Sequence, residues 1–181
     1  MKEQAIKNVV IVCDKALGLN CLKKLVSLRG DSVVVLTKTQ EITEYADYKG
    51  LKHYPYEIEI LKERLKELYM PFLVNVWTPN IYPEEVISMC ASTLNLHPSL
   101  LPFYKGSHCA TQAILGGGPF GVSLTTMTNE LDRGMIYIQE EIYLEDIIPA
   151  GALQALYLER LRILFDTHIS DIMMMECTPR S

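Results

Sequence analysis

Three polar side chains in two short stretches have the types and spacing for acyl-group chemistry. In Asn95-Leu96-His97-Pro98, alternation puts an amide and an imidazole on one face of an extended segment and Leu96 on the other. Pro98 favours an extended conformation for His97 and so presents its ring at a strand end. An amide NH2 and an imidazole N–H can both donate to a carbonyl oxygen that becomes negative under attack. The third side chain is Asp132, in Leu131-Asp132-Arg133-Gly134. A carboxylate there can raise the proton affinity of a neighbouring imidazole and, through a water, carry a proton. Two of the three also have a plainer reading. Taken alone, a histidine beside a proline reads first as a satisfied structural residue, and Asp132 as a solvated turn acid or the ion-pair partner of Arg133.

Other chemistries find less support. The apolar run Val9–Cys13 is followed by Asp14-Lys15-Ala16-Leu17-Gly18, which has one glycine and is not GxGxxG, so it reads as a plain strand-to-helix turn and hydride chemistry loses its main support. His53, His97, His108 and His168 show no HxxxH spacing, the five cysteines (Cys13, Cys21, Cys90, Cys109, Cys177) no CxxC, and no metal is expected. Ser107 and His108 are sequence neighbours, which rarely face one another, and G-x-S-x-G is missing. Cys109 reads as a buried structural thiol.

The odd cysteine count fits a reduced compartment. Val9–Cys13 is too short for a signal segment or a membrane span, so a cytoplasmic protein without a membrane partner is expected. Lys plus Arg number 17 against 22 Asp plus Glu, giving a net charge of −5 with no basic run, which argues against a nucleic-acid partner.

The elements that must position these residues alternate in type, as in an α/β chain. Buried-strand runs lie at Val9–Cys13, Ser32–Leu36, Phe72–Trp77 and Leu94–Leu96, and two further strands at Gly121–Met127 and Met135–Tyr143 are joined by a loop, a pair that suits antiparallel pairing. Helical spacing covers Leu17 to Leu28, Glu57 to Tyr69, Glu84 to Cys90, Ser107 to Leu115 and Ala150 to Met173. The stretch between Thr37 and Pro55 is polar and carries no assigned element. No linker divides the 181 residues, so one domain, residues 1–181, is expected. The stripe from Leu153 to Ile172 suits either a core or a second copy, which leaves a homodimer open. In such a sheet, ligands bind outside the carboxyl ends of the strands.

The stretch Asn95 to Gly106 (NLHPSLLPFYKG) strongly resembles the signature of folate-dependent formyltransferases, whose members act on glycinamide ribonucleotide, methionyl-tRNA or sugar-nucleotide amines. Gly121 to Gly134 (GVSLTTMTNELDRG) resembles the second motif of that family, in which an aspartate two residues before a glycine completes an Asn-His-Asp set. The resemblance runs from about Phe72 to Leu161. It implies a Rossmann-like, mostly parallel twisted sheet with helices on both faces, and catalysis by Asn95, His97 and Asp132. It implies 10-formyltetrahydrofolate as formyl donor, held by Trp77, Thr78, Pro79, Asn80 and Ile81 and by Met127, Thr128, Asn129 and Glu130. Ser99, Lys105 and Gly106 would then serve the amine substrate. Thr125 occupies a place where many relatives carry a second histidine.

The implied reaction moves a formyl group to a primary amine through a tetrahedral adduct, with Asn95 and His97 facing its negative oxygen and Asp132 assisting proton transfer. The single glycine after Val9–Cys13 weakens a phosphate-terminated acceptor. The negative charge, and the expectation that no C-terminal RNA-binding domain accompanies this one, weaken methionyl-tRNA. A nucleotide-linked amino sugar or another small amine is left by elimination. The reading from another class is a catalytically silent folate- or nucleotide-binding regulator.

Overall fold

A computed structural model describes residues 8–78, 81–146, 148–174 and 177–180. Its strands are β1 (Val9–Cys13), β2 (Val33–Thr37), β3 (His53–Pro55), β4 (Phe72–Val76), β5 (Ser92–His97), β6 (Gly121–Thr125) and β7 (Ile136–Glu141). They form one seven-stranded sheet in the order β3-β2-β1-β4-β5-β6-β7. Pairing is parallel from β3 to β5 and antiparallel where β6 meets β5 and β7.

The helices are α1 (Lys15–Arg29), α2 (Gln40–Lys49), α3 (Ile58–Lys66), α4 (Glu84–Ser88), α5 (Cys109–Gly116) and α6 (Ala150–Met173). They cover both sheet faces, because a strand apolar at every position must be buried on each side. In β1, Val9, Ile11 and Cys13 pack with α1, α5 and α6, while Val10 and Val12 pack with Leu61 and Leu65 of α3 and Val86 of α4. The apolar stripe of α6 (Leu153, Tyr157, Leu161, Phe165, Ile169) enters this chain's own core.

Three differences from the sequence expectations have local causes. The polar stretch contains α2 and β3. Helix α2 buries only Ile42 and Ala46, an i, i+4 pair too sparse to read as a stripe, and ends on Gly50 in the left-handed region. Strand β3 is a three-residue edge that stops at Pro55, which has no N–H for the ladder. Helix α5 starts at Cys109 because His108, at φ 57°, is not helical. Strand β5 extends back to Ser92 because Thr93 is satisfied inside the fold, its hydroxyl accepting from the Met127 amide at 2.8 Å.

Candidate active site

Asn95 and His97 lie on one side of β5, since the alternating Leu94 and Leu96 enter the core shared with α6. In register, Asn95 stands beside Asn75 of β4 and Thr125 of β6, and His97 beside Ser123. The chain after His97 is fixed from below. Ser123 Oγ donates to the Ser99 carbonyl at 2.7 Å and accepts from the Leu101 amide at 3.1 Å, while Gln139 Nε2 donates to the Leu101 carbonyl at 2.7 Å.

Asp132 comes from the β6–β7 loop and sits at φ 49°, a left-handed conformation that aspartate tolerates better than most residues. The loop closes on itself through the Thr126 amide to the Met135 carbonyl (2.8 Å) and the Met135 amide to Thr126 Oγ1 (2.9 Å). A Cβ at Gly134 would stand 1.7 Å from the Thr126 carbonyl oxygen, so only glycine permits this approach. Folded this way, the loop aims Asp132 at both ends of the other motif. Its Oδ2 accepts from the Gly106 amide at 2.7 Å, and its Oδ1 lies 3.4 Å from His97 Nδ1. The two side chains are only 9% and 5% exposed. Arg133 pairs instead with Glu130, at 3.0 Å.

Burial pushes the proton affinity of His97 below its ordinary value, Lys105 pushes it the same way, and the Asp132 carboxylate and the Tyr104 carbonyl oppose them. The lowered proton affinity favours the neutral imidazole near pH 7. Nε2 lies 3.7 Å from Cys109 Sγ, which also donates to the Gly106 carbonyl at 3.3 Å. Burial, then Asp132, raises the Cys109 thiol to about 11, so it is a protonated packing group and not a nucleophile.

A narrow cleft of about 30 Å³ opens beside these residues, lined by Asn75, Asn95, Thr125 and Asp132 together with Ile81, Tyr82, Met127, Thr128, Glu130 and Leu131. A pocket for a drug-sized ligand has roughly ten times that volume; of the lining residues, Ile81 is 57% and Leu131 49% exposed.

The other expected site residues are placed unevenly. Thr78 is buried and hydrogen-bonded to Asn75. Trp77, at φ 62°, packs partly on the core with the Lys15 ammonium 5.4 Å from its ring. Asn129 is exposed outside the cleft lining. Pro79 and Asn80 lie outside the described residues. Ser99 is fully buried and its hydroxyl donates to the Phe103 carbonyl at 2.7 Å, so it shapes the turn. Lys105 flanks His97 electrostatically, and Gly106, at φ 83°, offers its amide to Asp132.

Sequence reasoning missed Asn75 and Tyr82. Asn75 Nδ2 donates to Asn95 Oδ1 at 2.8 Å, and Tyr82 donates its hydroxyl to Asn75 Oδ1 at 2.8 Å. The available signal was an amide inside the otherwise apolar run Phe72–Val76, since a buried polar group needs partners.

Comparison with known proteins bears on the family and the fold. The methionyl-tRNA formyltransferase of Ehrlichia ruminantium (strain Gardel) is 36% identical over 117 residues, which are 62% of this chain and 38% of that protein. The chain thus spans well under half the length of that curated relative. The fold matches the N-formyltransferase of Helicobacter canadensis, solved with folinic acid and dTDP-3-aminofucose, at a TM-score of 0.80 and 22% identity, covering 97% of this chain and 67% of that one. It also matches phosphoribosylglycinamide formyltransferase of Anaplasma phagocytophilum at a TM-score of 0.75 and 24% identity, covering 92% and 86%. The family model described as formyl transferase matches residues 3–160, a span that takes in both motifs and every strand of the sheet, and the chain belongs to that family.

Proposed function

We propose that this protein transfers the formyl group of 10-formyltetrahydrofolate to a primary amine, with Asn95, His97 and Asp132 as its working residues. The observation that carries the reading is the junction of the two motifs at one point, where Asp132 contacts both Gly106 and His97 beside Asn95. Asn95 Nδ2 donates to the carbonyl oxygen as it becomes negative, a role worth about 3 to 4 kcal/mol for a well-aimed donor in acyl transfer. His97 lies behind Asp132. Its N–H dipole adds to the field on that oxygen and holds the carboxylate in place. Asp132 takes the proton that the attacking amine must lose and passes it, through a water, toward the leaving nitrogen.

The acceptor in this reading is a nucleotide-linked amino sugar. Asp14, at the start of α1, accepts from Thr37 Oγ1, the Lys38 amide and Thr39 Oγ1, so a carboxylate holds the turn where a phosphate group would need free amides. The charge of −5 disfavours a large RNA acceptor. The protein would act in the cytoplasm.

Calorimetric titration with folinic acid and, separately, with dTDP-3-aminofucose, glycinamide ribonucleotide and methionyl-tRNA, together with a turnover assay of each amine with 10-formyltetrahydrofolate, tests the reading. Saturable binding of folinic acid and of the sugar nucleotide is expected. Binding of folinic acid with no turnover of any of the three amines would favour a silent regulator. Turnover of methionyl-tRNA in place of the sugar would replace the acceptor and keep the chemistry.

A further inference from the structure

The Asn95 amide can serve as a donor only if its NH2, and not its carbonyl oxygen, faces the cleft. On electron count alone the two ends are interchangeable, so something must choose between them. A backbone carbonyl only accepts. The Asn75 atom 3.2 Å from the Thr78 carbonyl is therefore nitrogen, and its oxygen lies on the other side, where it accepts the hydroxyls of Thr78 and Tyr82. The second proton of that Asn75 NH2 goes to Asn95, 2.8 Å away, and the atom receiving it must be the Asn95 oxygen. Because the amide is planar, the Asn95 NH2 then turns to the cleft. We infer that Asn75 is a positioning residue that fixes the amide orientation of Asn95. The fixed point is the backbone of the loop after β4, so loop and donor are set together. Asn75 is 4% exposed, and both of its polar atoms are used.

This inference rests on the formyl-transfer reading for its consequence but not for its geometry. The substitution Asn75→Asp isolates it. Ionised aspartate still accepts from Thr78 and Tyr82, but it loses the bond to the Thr78 carbonyl and offers no proton to Asn95, which must reverse to bring its own NH2 to the new carboxylate; the assay is run at a pH where the carboxylate is ionised. Expected are a fall in kcat of about 10²- to 10³-fold, as for loss of one oxyanion donor, and folinic acid binding within about threefold of the parent. Asn75→Leu removes all four bonds and leaves Asn95 free to adopt either orientation, so its kcat per folded molecule should fall less than that of Asn75→Asp. A merely structural role would reverse that order.

Side-chain NMR of 15N-labelled protein without any ligand reads the orientation directly. The Asn95 NH2, assigned by its loss in Asn95→Ala, should exchange quickly with water in the parent and be protected in Asn75→Asp. Unchanged exchange, equal kcat, or greater damage from leucine overturns the inference. If the parent transfers no formyl group to any amine, the reading of function fails and the NMR result alone decides the positioning.

Discussion

Asp14 and Asp132 are both turn aspartates that join distant parts of the chain, yet their surroundings differ. Asp14 Oδ1 receives three fixed donors, Thr37 Oγ1 at 3.0 Å, the Lys38 amide at 2.9 Å and Thr39 Oγ1 at 2.9 Å, and it ties the β1–α1 turn to the β2–α2 turn. None of those partners titrates near neutral pH. Asp132 has one amide, from Gly106, and otherwise faces an imidazole across 3.4 Å at the edge of a cleft. The Oδ1 of the first carboxylate is filled by these fixed donors. The second carboxylate has a partner whose charge can change, and it lines a cleft. A carboxylate's partners, more than its burial or its sequence neighbours, separate fastening from chemistry.

Substitution at the two aspartates gives the sharpest contrast. Asp132→Asn keeps an acceptor for the Gly106 amide but cannot carry a proton, so turnover should fall about 10²- to 10⁴-fold with little change in thermal midpoint. Asp14→Ala should do the reverse. Loss of charge-assisted hydrogen bonds costs about 1 to 3 kcal/mol of stability, read by urea unfolding, while kcat stays within about threefold of the parent. Similar profiles for the two variants would erase the distinction.

Gly134→Ala attacks the loop and not the carboxylate. Its Cβ would collide with the Thr126 backbone, so the loop must reopen and withdraw Asp132. A stability loss of about 1 to 3 kcal/mol is expected, as for overpacking, accompanied by a fall in turnover. Retained turnover would show that the Gly134 approach does not position Asp132.

The smallest effect lies in pH. Burial first of all lowers the pKa of His97 from its ordinary 6.5, so the unfolded chain binds that proton more readily than the folded one. The associated stability is present above about pH 6.5 and is lost as pH falls. The His97 titration followed by NMR should likewise have its midpoint below 6.5. In Asp132→Asn, which removes the main opposing influence, it should move lower still. A midpoint that rises in that variant would contradict the assigned electrostatics.

Much of the fold was legible because its signals were continuous. The run Val9–Cys13 is β1 without change, and the stripe from Ala150 to Met173 is α6 residue for residue. Helix α2 and strand β3 were not legible, since a helix with two buried residues and a three-residue edge strand carry almost no periodicity. Of the proposed site, Asn95, His97 and Asp132 were named through motif resemblance, but the contact of Asp132 with His97 was not legible locally, because it depends on how a loop some 30 residues away folds back over β5. Asn75 was visible only as an amide in an apolar run, and its partners stayed hidden for a similar reason: Thr78, Tyr82 and Asn95 converge on it only after β4 and β5 pair.

The most direct test of the central claim follows the formyl carbon itself. With 10-formyltetrahydrofolate labelled at that carbon by 13C and dTDP-3-aminofucose as acceptor, the account predicts a growing N-formyl amide signal with the parent protein and its near loss with Asn95→Ala and Asp132→Asn. A signal that grows equally in all three would contradict it.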